Sequence, residues 1–286
     1  MELNSAQLEA FFAVAKNMNF TRAAEQLHVT QSALSQRIAK LEDELGTTLF
    51  IRDRTSIRLT EAGELVLRYC QFNQSAETEL LTKLKSSKED LAGVLRVGGF
   101  SSINRSLVIP ALKNVMIKNP RLSIQILTKE ITEIPRLLTT SEAEYIFTTK
   151  KSLSTDIENV FLGYEDSVQV KLKKAPNVEI YLDHDENDTT TRDYFLQNKI
   201  SFKPLTIRYL DDIYGLIDGV KNGYGKAILP LHLIQHESSL EIVEPKWVLK
   251  APVYLQFFNQ PFHRNVHSIF VDEVKAYFRD KLRQEK

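Results

Sequence analysis

The sequence predicts an α/β fold class in three parts: an all-α-type winged helix-turn-helix head over residues 1–59, a long linker helix over 60–91, and a C-terminal α/β domain over 92–286. Three observations predict it. Residues 19–46 (NFTRAAEQLHVTQSALSQRIAKLEDELG) read as two capped helices around a tight turn. Residues 60–90 carry no proline, and no glycine after Gly63, with apolar residues every three or four positions. From Val94 onward, short apolar runs alternate with helical stretches, the texture of layered α/β structure.

Ser5 to Asn17 is an amphipathic helix capped by Asn4 or Ser5, with Leu8, Phe11, Phe12 and Ala15 on its buried face. Thr21 caps a short helix from Arg22 to Leu27, and His28-Val29 makes the turn. Thr30 caps the next helix, Gln31 to Leu45, and Gly46 stops it in the left-handed conformation that glycine accepts. Leu34, Ile38, Leu41 and Leu45 form one buried stripe. The opposite face carries Gln31, Ser32, Ser35, Gln36 and Ala39, short or polar side chains free of acid until Glu42-Asp43-Glu44. Such a face suits the DNA major groove, where amides and hydroxyls read base edges. An αα-hairpin in an ordinary helical bundle is the rival reading. The residues after Gly46 favour the first reading: Leu49-Phe50-Ile51 and Ile57-Arg58-Leu59 flank a turn, making a small wing that presents Arg52, Arg54 and Arg58 to a polyanion.

Thr60 caps the long helix, whose stripe of Leu65, Tyr69, Phe72, Ala76, Leu80 and Leu84 is too extended for packing on one small domain. A partner helix from a second chain is its natural cover. Cys70, expected on or near this seam, is the only cysteine, which excludes an intrachain disulfide and fits a reducing compartment. Beyond it, strands are expected at 94–98, 122–127, 145–148, 160–163, 167–172, 178–182, 205–209, 226–229, 240–243 and 253–258. Helices are expected at 103–118, starting late or kinking at Pro110, and at 134–138, 190–198, 211–221 and 265–283. The last has Val266, Phe270, Val274 and Phe278 on one face.

The N-terminal third closely resembles the LysR-type transcriptional regulators. The matching residues are Phe20 to Leu27, Thr30 to Ser35, Ile38, Leu41-Glu42, Leu45-Gly46, Leu49-Phe50, Arg52 and Leu59 to Gly63. The resemblance implies that the long helix dimerises. It also implies that residues 92–286 form an effector domain built like a periplasmic binding protein, with Leu95 to Gly98 and Val220 to Pro230 as its best-matching pieces. In that architecture the chain crosses between lobes twice, here near 163–165 and 258–262, giving lobe one as 92–163 plus 262–286 and lobe two as 165–260. Gln31, Ser32, Ser35 and Gln36 are then base-edge candidates, and Arg37, Lys40, Arg52, Arg54, Arg58 and Thr60 phosphate or minor-groove candidates.

Ser101 and Ser102 follow a strand and open a helix, an anion-binding corner at the strand ends where α/β crevices form. Thr148 and Thr149 on the same lobe, with Thr189, Thr190 and Thr191 on the other, complete a grip on a carboxylate-bearing effector. Glu142 to Phe147 and the acidic loop Asp183 to Asp188 depart from the family's usual pattern, and suit either a basic effector group or plain solvation. The serine turn is not a nucleophile elbow, the segment from Gly223 to Lys226 lacks P-loop spacing, and His232/His236 and His263/His267 lack a third metal ligand, so neither an enzyme nor a metal or other cofactor is expected.

The formal net charge is +0, with 37 basic and 37 acidic residues, and the head is not basic in bulk, so any DNA affinity must come from the placement of its arginines. Hydrophobic residues make up 43% of the chain, enough for sizeable cores, yet no run is long enough to span a membrane and the first residues do not read as a secretory signal. A cytoplasmic protein is expected. Its partners are double-stranded DNA, the effector, a second copy of itself as homodimer or homotetramer, and RNA polymerase, with no membrane. A solute-binding protein with a helical appendage is the rival from another class.

Overall fold

The computed structural model describes residues 3–53, 56–85, 91, 93–176, 178–201, 206–260, 265–282 and 284. The chain forms two compact units: Met1–Leu95 with Asn119–Ser123 and Thr139–Glu142, and Arg96–Lys118 with Ile124–Leu138 and Ala143–Lys286. No described helix is long and apolar enough to cross a membrane.

The head is built from α1 (Ser5–Asn17), α2 (Phe20–Gln26), α3 (Gln31–Leu45), β1 (Phe50–Arg52) and β2 (Ile57–Leu59). Asn4 caps α1 by accepting from Ala6 N. Its most buried face is rotated from the expected one: Ala10, Phe11 and Val14 are sealed, while Leu8 and Phe12 are partly buried. The cap of α2 is Asn19, whose Oδ1 accepts from Arg22 N at 3.0 Å, and not Thr21. Asparagine caps as well as threonine, and choosing it adds Phe20 to the helix as a core residue. His28 turns the chain at φ 54, Thr30 Oγ1 accepts from Ala33 N to cap α3, and Gly46 ends it at φ 67. Leu34, Ile38 and Leu41 are fully buried, as the stripe requires.

The helix α4 (Glu61–Lys85) leaves the head from the Thr60 cap, where Oγ1 accepts from Gly63 N at 2.9 Å. Residues 86–90, expected to extend it, lie outside the described residues. Cys70 does not lie on the exposed seam. It packs with Leu67 in the head core, its Sγ 3.9 Å from Leu8 O, and burial pushes its thiol up to about 12. A Cβ at Gly63 would stand 2.2 Å from Leu49 O. Gly63→Ala therefore forces wing and helix apart, and is expected to cost roughly 2–3 kcal/mol in urea unfolding.

The C-terminal sheet runs β4-β3-β5-β11-β6-β9-β7-β8, with β10 added on β6. Its strands are β3 (Gly93–Gly99), β4 (Leu122–Thr128), β5 (Tyr145–Thr148), β6 (Ile157–Leu172), β7 (Ile180–Asp183), β8 (Thr206–Tyr209), β9 (Lys226–Pro230), β10 (Leu240–Ile242) and β11 (Leu249–Phe258). The two strands expected at 160–163 and 167–172 are one strand, β6, because Gly163 (φ 133) bends the backbone without ending it. Its partner β11 runs antiparallel along nearly its whole length and slips register between Val253 and Tyr254, opposite that bend. One half of this pair carries parallel β3 and β5; the other carries parallel β7, β8 and β9. Two α/β lobes thus share one long ribbon.

The helix expected from 103 to 118 is broken. It comprises α5 (Ser101–Ile103), a π turn (Asn104–Val108), α6 (Ile109–Ala111) and α7 (Lys113–Lys118). Pro110 cannot donate and its ring crowds the preceding turn, and the wider spacing, with Ile109 N reaching Asn104 O, relieves it. The remaining helices are α8 (Ile134–Thr139), α9 (Thr190–Gln197), α10 (Ile213–Lys221), the unforeseen α11 (Leu231–Ile234) and α12 (Asn265–Lys281). Val266, Phe270, Val274 and Phe278 of α12 are buried as expected.

Candidate functional site

The head offers one polar surface. With its stripe locked inward, α3 leaves Gln31, Ser32, Gln36 and Lys40 exposed and Ser35 and Arg37 half-buried. Gln31 Oε1 receives a 3.4 Å hydrogen bond from Thr21, and Ser32 Oγ lies 3.0 Å from Thr30 Oγ1. The acidic end of the helix is partly occupied. Glu42 accepts from Leu49 N at 2.6 Å and Phe50 N, which pins the start of the wing, and Glu44 accepts from Gln7. In the wing, the Arg52 guanidinium stacks 4.1 Å over the Phe20 ring and Arg58 pairs with Asp53 at 3.1 Å. Both cations are pre-positioned, Arg52 by a ring that itself packs on Phe50. Arg54 lies outside the described residues. The Thr60 hydroxyl is committed twice, donating to Thr48 O and accepting from Gly63 N, so its place is the joint between wing and α4.

The second site lies at the carboxyl ends of the parallel strands, where α/β sheets hold ligands. Ser102 (after β3) and His232 (after β9) come from different lobes and meet at Glu165 in the shared ribbon. His232 Nε2 is 2.7 Å from Glu165 Oε1, and Ser102 Oγ donates to the same oxygen at 3.5 Å. His232 Nδ1 lies 2.9 Å from Ser106 Oγ, which donates to Ser102 O. Nearby, Arg105 stacks 3.9 Å over the Tyr214 ring of α10. The π turn aims this edge: Asn104 Nδ2 donates to Gly99 O, Leu127 O and Thr128 Oγ1, tying the β3 turn to β4.

Two family models match the chain: the bacterial regulatory helix-turn-helix protein, lysR family, over residues 5–64, and the LysR substrate binding domain over residues 88–279. The chain belongs to the LysR family of transcriptional regulators. Among its relatives, the HTH-type transcriptional activator IlvY of Haemophilus influenzae is 34% identical over 121 residues, 42% of this chain and 41% of that protein, so the chain spans about two fifths of that relative's length. ArgP from Mycobacterium tuberculosis shares the fold at TM-score 0.81 with 21% identity, covering 99% of this chain and 100% of that one. LysG from Corynebacterium glutamicum, solved with bound effector Arg, does so at TM-score 0.79 and 16% identity, over 98% and 100%.

In this LysR-family chain, the residues expected to form one effector grip do not all meet. Ser101 is half-buried beside Ser102, and Thr148 is buried, its hydroxyl accepting from Lys150 N, with Thr149 half-buried after it. Thr189 donates to Asp193 and the Thr190 amide to Asp188, so both serve the start of α9. Of the three expected threonines here, Thr191 turns inward, donating to Asp183. The sequence reading does not single out Glu165 or Ser106, and weighs His232 only as half of an incomplete metal pair. The available signal was the pair of carboxylates, Glu165 and Asp166, set inside the strand-like run FLGYEDSVQV. Among the described residues His236 makes no such contact, and His263 lies outside them. His267 lies 2.9 Å from Tyr145 OH, in an aromatic core.

The acidic loop is ordered by its own hydrogen bonds. Burial pushes Asp188 up, but donors from His184 and Thr190 together outweigh it and hold the carboxyl well below the usual range. The same pairing raises His184 from its ordinary 6.5. Asp183 is pushed up from 3.8 to about 6, chiefly by burial, against the lowering effect of Thr191. A raised carboxyl contributes stability in full below its unfolded pKa and loses it as pH rises through the folded value; the raised His184 behaves likewise from its own ordinary value upward. The Asp183 loss therefore runs between 3.8 and about 6, and the His184 loss begins above 6.5. The melting temperature is expected to fall across both windows as pH rises. Asp183→Asn removes on the order of 2 kcal/mol of the first loss, visible as a flatter melting profile.

Proposed function

We propose that the chain is a sequence-specific DNA-binding transcription regulator, acting as a homodimer or homotetramer. On this reading its output is controlled by a carboxylate-bearing small molecule taken between the two lobes. The carrying observation is α3, a capped helix whose apolar stripe is sealed while Gln31, Ser32, Ser35 and Gln36 share the opposite polar face beside a wing with two positioned arginines. Those four side chains read base edges; Arg37, Lys40, Arg52 and Arg58 meet phosphate. Residues 1–59 are the DNA-binding domain, 60–91 the dimerisation helix and 92–286 the effector domain.

The turn at Ser101 and Ser102 meets the effector's carboxylate with first-turn amides and hydroxyls. That LysG was solved with Arg in place supports an effector of this size for the shared fold. Ligand shifts output by binding unequally to two lobe arrangements, which differ in the contacts among Ser102, Ser106, Glu165 and His232. The test is a gel shift with DNA from upstream of the chain's own gene, titrated with salt. Saturable retardation that survives excess unrelated DNA is the expected result, and retardation abolished by that competitor counts against sequence-specific reading.

A further inference from the structure

We infer that the effector carries a protonated nitrogen beside its carboxylate, as an α-amino acid does, and that Glu165 receives it. This deepens the carboxylate reading above and rests on it. Glu165 is 7% exposed and sits two residues past the Gly163 bend, at the centre of the ribbon both lobes share. Its Oε1 takes both His232 and Ser102, while Oε2 has no partner among the described residues. An ionised carboxylate has roughly four acceptor positions, and Oε2 is not one of the sealed, unpartnered atoms, so a donor entering from solution can reach it. A donor brought by the ligand completes the set.

Charge selects that donor. The hydroxyl of Ser102, which belongs to the turn that meets the effector's carboxylate, is 3.5 Å from Glu165. His232 already pairs with Oε1, and a ligand bearing only a carboxylate leaves Oε2 facing it without a donor. In an α-amino acid the ammonium is one carbon removed from the carboxylate, a spacing that sets the cation against Glu165 while the carboxylate faces the turn. Charge-assisted hydrogen bonds of this kind are stronger than neutral ones. His232, held by Ser106, fixes Glu165 from the opposite lobe and is a positioning residue.

The test compares the full chain and Glu165→Gln against the protein L-amino acids and their matching 2-hydroxy acids. A thermal-shift screen is followed by calorimetry of every hit. The hydroxy acids keep carboxylate and side chain and exchange only the ammonium for a neutral hydroxyl. Binding of one or a few amino acids is expected, with the matching hydroxy acid weaker by at least about tenfold and Glu165→Gln weakening the amino acid by ~10–100-fold. Should that variant fail to fold, the wild-type comparison decides alone. Equal affinity for the two series, or amino-acid affinity unchanged in Glu165→Gln, overturns the inference and leaves the carboxylate reading standing. Binding of neither series overturns the inference.

Discussion

Replacing Ser35 and Gln36 together by glutamate is expected to lower affinity for upstream DNA by roughly two orders of magnitude or more. Both residues lie on the polar side of α3, Gln36 exposed and Ser35 half-buried, so the change spares the core formed by Leu34, Ile38 and Leu41. Surface substitutions of this kind usually move stability by less than about 0.5 kcal/mol. The loss would come from three sources: two acceptors replacing amide and hydroxyl at base edges, repulsion from phosphate, and cancellation of Arg37 and Lys40 on the same helix. A gel shift at fixed salt measures the loss, and an unchanged melting temperature assigns it to the interface. Retained affinity would mean that another surface of the head contacts DNA.

That surface was legible from sequence because its rules are local. Caps at Thr30 and Thr60, the stop at Gly46 and the buried stripe each depend on residues within one or two turns. The Asn19 cap escaped because Asn19 and Thr21 are both good caps two residues apart, and only the burial of Phe20 chooses between them. Strands β5 and β9 and helix α12 were placed nearly to the residue for the same local reasons. The crevice was not, because its chemistry is assembled from far apart. Ser102, Glu165 and His232 come together through the pairing of β6 with β11 and β9, and no spacing in the chain encodes that. The π turn was foreshadowed only by Pro110, which announces a disturbance without saying which kind.

The second large effect concerns α4. Leu65, Tyr69 and Leu80 are 61%, 44% and 57% exposed, while Leu67 and Cys70 on the other side of the same helix are sealed into the head. The helix thus carries two apolar faces, and among the described residues the head covers the one with Leu67 and Cys70. A single exposed leucine is ordinary, but a stripe repeating every three or four residues through Leu65, Tyr69, Phe72, Ala76 and Leu80 has the period of a helix–helix seam. Leu65→Glu with Leu80→Glu places four carboxylates in the seam of a dimer and removes its apolar contacts. The doubly substituted chain is expected to sediment as a monomer at about 10 μM, where the unsubstituted chain is at least dimeric. Affinity for a two-half-site operator should fall by ~100-fold or more with every DNA-contacting residue intact, because each head must then bind without the effective concentration its tether provided. Affinity for an isolated half-site should barely change. That contrast separates loss of pairing from damage to the head, and a monomer with undiminished operator affinity would place the dimer contact elsewhere.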